Sequence, residues 1–362
     1  MHGKSVFAVI LAGGGGERFW PASSKDRPKQ FLKLIGNRTM LQQTVDRLAG
    51  FLAPPDVYVI TAGEYGELVR EQVEGIPRQN VIEEPCGRDT AAAVGLAAIH
   101  LERRDPQGVM LVLPADHFIA DTSRFRRVVE TAVDTARSGD WLVTLGITPT
   151  RPETGYGYIQ RGEALRTVGS LAVYRALRFT EKPDLLKARR FLASGKYFWN
   201  SGMFIWRVDV IRRLFEEYLP ELTAGLNRIA AVIGTEEEKA VTESVYPSLP
   251  RISIDYGLME QAKNVLVLPA DFGWDDVGTW PAWARYSGIR DGQGNVIEGS
   301  SVLVESSGCV VRASNHVVAA LGVRDLVIVE EGGRLLVCPK DRAQEIKRLV
   351  AALKEAGYDD MI

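Results

Sequence analysis

Short apolar runs alternate with amphipathic stretches along most of the chain. The runs at 6–11, 57–60 and 109–113 are rich in β-branched residues and too short for helices, so they predict buried strands. Apolar residues recur at helical spacing over 125–136 and 208–218, which predicts helices with one buried face. Such alternation is typical of an α/β fold whose parallel sheet carries helices on both faces.

The pattern changes after residue 291. Between 296 and 337, short β-branched runs are broken by glycine and charged residues, and few helical periods occur. Residues 341–356 then show an apolar stripe at helical spacing. We therefore expect a main α/β domain over residues 1–285 and a small all-β C-terminal appendage, closed by a helix, over residues 286–362.

The first predicted strand runs directly into four consecutive glycines. Glycine adopts positive φ angles readily and places no side chain in the way, so successive backbone N–H groups can point together at an anion. Arg18 and Lys29 follow, and both residue types bind phosphate. Pro21 and Pro28 restrict the loop between these cations. Together these features predict a nucleoside triphosphate site at Gly13, Gly14, Gly15 and Gly16.

Two commoner glycine motifs do not match this segment. A dinucleotide fingerprint needs Gly or Ala at its last position, where this chain has Arg18 or Phe19, depending on the starting glycine. A Walker phosphate loop ends in Gly-Lys-Ser or Gly-Lys-Thr. The only such triplet, Gly3-Lys4-Ser5, precedes the strand and lacks the required upstream glycine. A dinucleotide-dependent oxidoreductase and a P-loop protein are therefore disfavoured.

Composition narrows the remaining classes. The 362 residues are 46% hydrophobic, enough for a large core, and the net charge of −2 without a basic stripe argues against binding to nucleic acid. Cys86, Cys309 and Cys338 are too widely spaced for a zinc motif or a disulfide framework. Because we find no signal peptide and no apolar run long enough to span a bilayer, we expect a cytoplasmic protein.

Two acidic segments are candidates for a metal site. Asp116 follows the strand predicted at 109–113, and a carboxylate at a strand end suits Mg²⁺, which prefers one or two carboxylates together with phosphate oxygens. Asp275 and Asp276 lie in a glycine-rich segment. Each segment can also be an ordinary acidic turn, because Asp and Gly dominate turns. The residues alone leave both interpretations open.

The glycine segment resembles the signature of the sugar-1-phosphate nucleotidylyltransferases. That signature is Leu-Ala-Gly-Gly-x-Gly-x-Arg with a later Pro-Lys, and this chain has Leu-Ala-Gly-Gly-Gly-Gly-Glu-Arg at 11–18, then Pro28 and Lys29. Phe-Trp-Pro at 19–21 is most similar to the mannose-1-phosphate guanylyltransferases. Further motifs similar to this family are Leu-Pro-Ala-Asp-His at 113–117, Trp-Asn-Ser-Gly-Met-Phe at 199–204 and Asp-Val-Gly-Thr-Trp at 276–280.

The resemblance implies a fold and a reaction. The fold would be a Rossmann-like, GT-A-like mixed sheet flanked by helices, with an appendage similar to a left-handed β-helix. The reaction would transfer GMP from GTP to α-D-mannose 1-phosphate, giving GDP-mannose and diphosphate, with Mg²⁺ as cofactor. The family would thus supply the substrates that the glycine segment alone does not identify.

The resemblance also implies roles for individual residues. The catalytic residues would be Arg18, Lys29, Asp116 and Lys182. The nucleotide would contact Leu11, Ala12, Gly13, Gly14, Gly15, Gly16, Glu17, Arg18, Lys29, Arg88, Asp89, Thr90, Pro114 and Asp116. The sugar phosphate would contact Gly155, Tyr156, Gly157, Glu181, Lys182, Asn200, Asp255 and Asp276. The metal ligands would be Asp116 and Asp276, rather than Asp275.

One segment departs from the family pattern. Many guanylyl-transferring members carry Arg-Asn-Thr-Ala-Pro, whereas this chain has Arg-Asp-Thr-Ala-Ala at 88–92. Arg88 and Thr90 match the family pattern. The departure at Asp89 leaves open whether its side chain contacts the nucleotide base. From the residues alone, Asp89 is a good N-cap for the small-residue helix expected over 91–98.

Two alternative functions stay open. The first is the same reaction with another pair, such as dTTP or UTP with glucose 1-phosphate, although Trp20 and Trp199 belong to motifs that favour guanine and mannose. The second is a non-catalytic sensor of a nucleotide sugar, which should lack a metal aspartate or the loop cations that this chain has. We expect no nucleic-acid or membrane partner, and a homodimer is one option for the oligomeric state.

Overall fold

The computed structural model describes residues 5–168 and 171–362. Gly3 and Lys4 of the Gly-Lys-Ser triplet therefore lie outside the described residues. The strands are β1 (Val6–Leu11), β2 (Val57–Ala62), β3 (Val81–Glu84), β4 (Val109–Pro114), β5 (Phe118–Ile119), β6 (Leu142–Ile147), β7 (Tyr158–Val168), β8 (Leu171–Thr180), β9 (Tyr197–Arg207), β10 (Val265–Ala270), β11 (Trp274–Asp275), β12 (Ile289–Arg290), β13 (Val296–Glu298), β14 (Ser301–Val304), β15 (Val310–Ala313), β16 (Val318–Leu321), β17 (Leu326–Glu331) and β18 (Arg334–Pro339).

Ten α-helices occur in the described part of the chain. They are α1 (Met40–Asp46), α2 (Gly66–Gln72), α3 (Asp89–Arg104), α4 (Thr122–Arg137), α5 (Leu185–Ser194), α6 (Val208–Tyr218), α7 (Pro220–Ala230), α8 (Glu238–Val245), α9 (Trp280–Trp283) and α10 (Ile346–Glu355). None of the helices in the described ranges combines the length and the hydropathy that a bilayer-spanning helix requires.

The elements form two compact units. The first contains the described residues up to Gly13, then Thr44–Ala115 and Ile119–Trp274. The second contains Gly14–Gln43, Asp116–Phe118 and Asp275–Ile362. The domain boundary that we expect between residues 285 and 286 stays a prediction.

The first unit is built on a nine-stranded sheet with the order β3-β2-β1-β4-β9-β6-β10-β8-β7. Strands β3, β2, β1 and β4 are parallel, as the alternating pattern predicted. Strand β9 runs antiparallel to both β4 and β6, so the sheet is mixed rather than purely parallel. The α/β prediction is confirmed. The alternation of strands and helices predicted a parallel sheet, whereas the family resemblance implied a mixed sheet, and the antiparallel β9 agrees with the mixed sheet.

Small residues let helix α3 pack closely in the first unit. Ala91, Ala92 and Ala98 are buried, and a Cβ at Gly95 would overlap Leu226 of α7. Helix α6 has the predicted bounds.

The prediction that Asp89 caps α3 is wrong. The helix already begins at Asp89, and Arg88 holds the N-cap position without a side-chain cap. Asp89 has φ = 65°, and its Oδ1 accepts a hydrogen bond from the backbone N of Thr90 at 2.7 Å. An N-cap instead has extended backbone and accepts from a residue two or three positions later. The helix also continues to Arg104, beyond the predicted end at residue 98.

The second unit contains the predicted C-terminal all-β region. Strands β13, β15 and β17 stack in parallel within a five-stranded sheet, while β14 pairs in parallel with β16. Val296 lies opposite Val310, and Val310 lies opposite Val327. Parallel pairing of strands this close in sequence is the arrangement of successive coils in a β-helix. The buried core of this unit also includes Trp280 and Trp283.

Candidate active site

The glycine segment leaves the end of β1, with Gly13 in the first unit and Gly14, Gly15 and Gly16 in the second. Gly16 has φ = 66°, and a Cβ there would overlap the Lys29 side chain and lie 2.8 Å from the Lys29 backbone N. At Gly14 and Gly15 an added Cβ would meet no atom within 4 Å. Gly16 is therefore required by close packing against Lys29, whereas the other two leave open space.

Lys29 links three separate parts of the second unit. It begins a 3-10 turn, Lys29–Phe31, and its side chain is only 7% exposed. Its Nζ lies 2.7 Å from Asp116 Oδ2 and donates to the backbone O of Asp276 at 2.6 Å. Residues up to 247 positions apart in the chain thus meet around one ammonium group.

Asp116 is held in its ionised form. Burial acts to raise the pKa of this carboxyl, but the charges of Lys29 and His117 and the hydrogen bond from Lys29 outweigh it, so the pKa lies below its ordinary value. His117 Nε2 is 3.9 Å from Asp116 Oδ1. An anionic carboxylate is the form that a divalent cation binds.

Asp276 and Asp275 have different surroundings, although they are adjacent in the chain. Asp276 Oδ1 accepts a hydrogen bond from the backbone N of Gly278 at 3.0 Å, and its carbonyl contacts Lys29. Asp275 is 2% exposed, and its Oδ2 forms an ion pair with Arg285 at 2.6 Å. Asp275 is therefore committed to an ion pair, and the role of Asp276 as the ligand-facing residue stays a prediction.

The residues around Lys29 fit a Mg²⁺ ion. Mg²⁺ takes oxygen ligands and is commonly held by one or two carboxylates together with substrate phosphates and water. Asp116 and Asp276 provide two carboxylates in the second unit, and Lys29 contacts the first through its carboxylate and the second through its backbone carbonyl. Across residues 5–168 and 171–362, no three His, Cys, Asp or Glu side chains gather as a ready metal cluster. A metal here would therefore take its remaining ligands from phosphate oxygens and water.

Two other predicted nucleotide contacts lie in the second unit. Arg18 Nη1 donates to Gln344 Oε1 at 2.7 Å, so this guanidinium is held by the turn that precedes α10. Glu17 is exposed, and its carboxylate lies 4.0 Å from Lys354 Nζ.

In the first unit, the predicted nucleotide contacts lie at strand and helix ends. Leu11 at the end of β1 is opposite Pro114 at the end of β4, and Ala12 is buried. Thr90 Oγ1 accepts a hydrogen bond from the backbone N of Ile254 at 2.9 Å. Thr90 thus ties the start of α3 to the residue that precedes Asp255. Arg88 immediately precedes α3, in the N-cap position.

Four of the predicted sugar contacts gather in the first unit. Asn200 Nδ2 donates to Asp255 Oδ1 at 2.6 Å, and the backbone N of Asn200 donates to the Gly157 carbonyl at 2.8 Å. A Cβ at Gly157 would lie 2.5 Å from Glu181 Oε2 and 3.3 Å from Asn200 Cβ. A side chain at position 157 would therefore displace the Glu181 carboxylate and crowd Asn200.

Asp255 begins a π-helical turn, Asp255–Met259, and has a perturbed pKa. Burial raises its pKa to about 6, the hydrogen bond from Asn200 opposes this rise, and repulsion from Glu181 adds to it. The Asn200 amide is held at both ends, since its Oδ1 also accepts from the backbone N of Gly202 at 3.1 Å. A fixed amide of this kind offers a defined set of hydrogen-bonding groups to a polyol.

The remaining predicted sugar contacts border this group. Lys182 is 66% exposed, has φ = 43°, and its Nζ lies 2.8 Å from Glu181 Oε1. Tyr156 packs edge-on against Trp199 with ring centroids 5.2 Å apart, and Gly155 donates its backbone N–H to Glu153. Among the predicted sugar contacts, Lys182 therefore provides an exposed cation, while Tyr156 packs in a cluster of aromatic side chains.

Sequence reasoning missed two groups of residues. Tyr246 OH donates to Glu84 Oε1 at 2.5 Å, and burial raises the Glu84 pKa, partly offset by that hydrogen bond. Arg285 and Tyr286 both bind Asp275. No motif spacing marks these partners, because 162 residues separate Glu84 from Tyr246 and the Arg285 segment carries no signature.

Comparison with known sequences identifies the family. The nucleotidyl transferase family matches residues 7–288, and a family described as the MannoseP isomerase/GMP-like beta-helix domain matches residues 299–353. Mannose-1-phosphate guanylyltransferase of Escherichia coli is 40% identical over 353 residues, covering 97% of this chain and 74% of that protein. The protein of the same name from Klebsiella pneumoniae is also 40% identical over 353 residues, with the same coverage.

Solved structures agree with this assignment. A Thermus thermophilus protein described as mannose-1-phosphate geranyltransferase has a TM-score of 0.85 at 39% identity, covering 97% of this chain and 99% of that one. A structure described as mannose-6-phosphate isomerase from Helicobacter pylori, 24% identical with a TM-score of 0.60 over 75% of this chain and 99% of that one, shows a shared fold alone. The predicted fold class, with its C-terminal β-helix-like region, is confirmed. The chain therefore belongs to the mannose-1-phosphate guanylyltransferase family of nucleotidyl transferases.

Proposed function

We propose that this protein transfers GMP from GTP to α-D-mannose 1-phosphate and releases GDP-mannose and diphosphate. The observation that carries the proposal is the buried Lys29 ammonium, shared by the Asp116 carboxylate and the Asp276 carbonyl. This arrangement supports a site for polyphosphate with a divalent cation, and the relatives' names supply the substrates.

The reaction needs no general base, because a phosphate monoester is already anionic at neutral pH. A sugar-phosphate oxygen attacks the α-phosphorus of GTP and forms a new P–O bond. The bond from the α-phosphorus to the bridging oxygen breaks on the opposite side, and its electron pair leaves with diphosphate. Catalysis then rests on positioning the two anions and stabilising the charge that develops.

The cations of the second unit would take the nucleotide's phosphates. Lys29 is preorganised by its contacts, so its charge is available without reorganisation during the reaction. Arg18 would bind the leaving phosphates through its remaining guanidinium N–H groups. Asp116 and Asp276 would hold Mg²⁺, which when bound supplies charge stabilisation to the phosphoryl oxygens.

Residues of the first unit would hold the sugar phosphate. Lys182 is an exposed cation suited to the phosphate, and Glu181 beside it can accept hydrogen bonds from sugar hydroxyls. Asn200, fixed by Asp255 and Gly202, would add a donor and an acceptor for adjacent hydroxyls. Arg88, Asp89 and Thr90 would border the nucleotide. Since GTP and sugar phosphates are intracellular metabolites, we propose a cytoplasmic site of action.

A product assay tests the proposal. The purified protein with GTP, mannose 1-phosphate and Mg²⁺ should form GDP-mannose and diphosphate in equal amounts. A panel of UTP, dTTP and ATP with glucose 1-phosphate should react much more slowly, and a preference for one of those pairs would contradict the proposed specificity. Binding of GDP-mannose without any turnover would instead indicate the non-catalytic sensor.

A further inference from the structure

The segment from Asp275 to Gly278 combines a buried charge with an unfavourable backbone angle. Asp275 Oδ2 accepts hydrogen bonds from Arg285 Nε at 3.0 Å, from Arg285 Nη2 at 2.6 Å and from Tyr286 OH at 3.1 Å. A carboxylate that is 2% exposed needs such partners, because an unpaired buried charge is strongly unfavourable. One side of Asp275 is therefore fully committed to the residues that follow α9.

The other oxygen of Asp275 acts on the backbone. Asp275 Oδ1 accepts a hydrogen bond from the backbone N of Val277 at 2.8 Å. Val277 has φ = 44°, in the left-handed region that β-branched residues rarely adopt. Strained backbone of this kind persists only where surrounding contacts impose it, and such positions cluster at functional sites. Here the Asp275 carboxylate supplies the contact that imposes it.

The strained angle lies directly after Asp276. The Asp276 carbonyl, which accepts from Lys29 Nζ, belongs to the same peptide group as the Val277 N–H that Asp275 binds. One peptide unit is thus held from both sides, by Lys29 at its oxygen and by Asp275 at its nitrogen. Loss of the Asp275 contact would let this peptide rotate and turn Asp276 away from Lys29.

We propose that Asp275, anchored by Arg285 and Tyr286, is a positioning residue that holds the Asp276 peptide beside Lys29 and so fixes the backbone from which the Asp276 carboxylate extends. It acts by fixing the backbone of Asp276 and Val277. What Asp276 is positioned for, a Mg²⁺ ion with GTP, rests on the proposed function. The positioning itself is a property of the free protein and can be tested without substrate.

The test uses three variants. Asp275→Ala removes both contacts, Asp275→Asn keeps an oxygen for the Val277 N–H but loses the charge that pairs with Arg285, and Arg285→Lys keeps a charge but loses the paired N–H groups. Asp291→Ala is the matched control, because Asp291 Oδ1 also accepts from two backbone N–H groups, those of Gln293 and Asn295, in a turn of the same unit. A control of this design separates positioning from a general loss of stability.

The first measurement is amide hydrogen exchange of the free protein over residues 274–283. Exchange should become faster in Asp275→Ala and less so in Asp275→Asn and Arg285→Lys, with no change in Asp291→Ala. The second is the Mg²⁺ concentration for half-maximal rate at saturating GTP and mannose 1-phosphate. We expect it to rise about tenfold or more in Asp275→Ala, the usual effect of losing a residue that orients a metal ligand, and to stay unchanged in the control.

The outcomes distinguish this inference from the proposed function. Unchanged exchange over residues 274–283 in Asp275→Ala would overturn the inference whatever the protein catalyses. Wild-type protein that makes no GDP-mannose would contradict the proposed function, while the exchange data would still decide the positioning. Faster exchange with an unchanged Mg²⁺ requirement would show that Asp275 supports only the turn and would overturn its link to Asp276.

Discussion

Lys29 and Asp116 lie 87 residues apart in the chain and form a salt bridge of 2.7 Å. The Lys29 side chain is 7% exposed and the Asp116 side chain 36%, so the carboxylate is the more accessible member of the pair. A partly exposed carboxylate with a buried counter-charge stays ionised and accessible, which is what a metal ligand needs.

Replacing Lys29 with Met should lower kcat/KM for GTP by about 100-fold or more, a size typical for loss of one preorganised charge-stabilising donor. The Asp116 carboxylate would also lose the charge that lowers its pKa. Steady-state kinetics with varied GTP measure the effect. Lys33→Met is the matched control, because Lys33 lies on the same loop but is exposed, and it should retain near-normal activity. Equal losses in both variants would contradict the role of Lys29.

Substitution of Gly16 by Ala should destabilise the protein by about 1–3 kcal/mol, because the residue has a positive φ angle and the new Cβ would displace Lys29. Gly15→Ala should leave the stability of the free protein unchanged, since its Cβ would meet no atom within 4 Å. Chemical denaturation of the two variants beside the wild type measures this difference. A Gly16→Ala variant with wild-type stability and activity would show that Lys29 does not depend on this close approach.

Asp116→Asn and Asp276→Asn should each abolish Mg²⁺-dependent turnover while the fold survives, because Asn keeps the shape of the side chain but binds a cation poorly. Chelation of divalent cations should have the same effect on the wild type, reversed by added Mg²⁺. Product formation at increasing Mg²⁺, with thermal unfolding as a check of the fold, measures this. The exposed Asp271→Asn variant serves as control. Near-normal activity in Asp116→Asn would reject the metal assignment.

Asp255 should make stability depend on pH. Its pKa is raised from 3.8 to about 6, so between these values the folded protein binds a proton that the unfolded chain has lost. The contribution of Asp255 to stability is therefore fully present below the unfolded-state pKa of 3.8, and it is lost as pH rises through the folded-state pKa of about 6. A shift of this size corresponds to at most about 3 kcal/mol, and the half-buried position of Asp255 reduces it.

Asp255→Asn removes this titration, so the variant should gain stability relative to the wild type as pH rises from about 4.5 to about 7. Denaturant unfolding gives the free energy of unfolding of both proteins at the two pH values. The difference between the two proteins is then compared across pH, because the titration of other groups cancels in that difference. Asp271→Asn should show no such change, because its carboxyl is exposed. A difference that is constant with pH would mean that Asp255 titrates normally.

Local patterns predicted much of the fold because burial on one face imposes a regular spacing of apolar residues. Helix α6 and strand β1 have the predicted bounds for this reason. The direction of β9 did not follow from its own residues, since an apolar strand between two others can run either way. The cap at Asp89 was predicted wrongly because its side chain bonds the next backbone N–H instead of a later one.

The sequence by itself determined the fold class, the glycine segment with its two cations, and the family, because each depends on residues that are close together in the chain. Only the tertiary structure decided that Lys29 contacts both Asp116 and Asp276, and that Arg285 binds Asp275. These contacts join residues that are distant in sequence, and their geometry depends on how the backbone between them packs. Periodicity reports which residues are buried, but it carries no information about which buried groups meet.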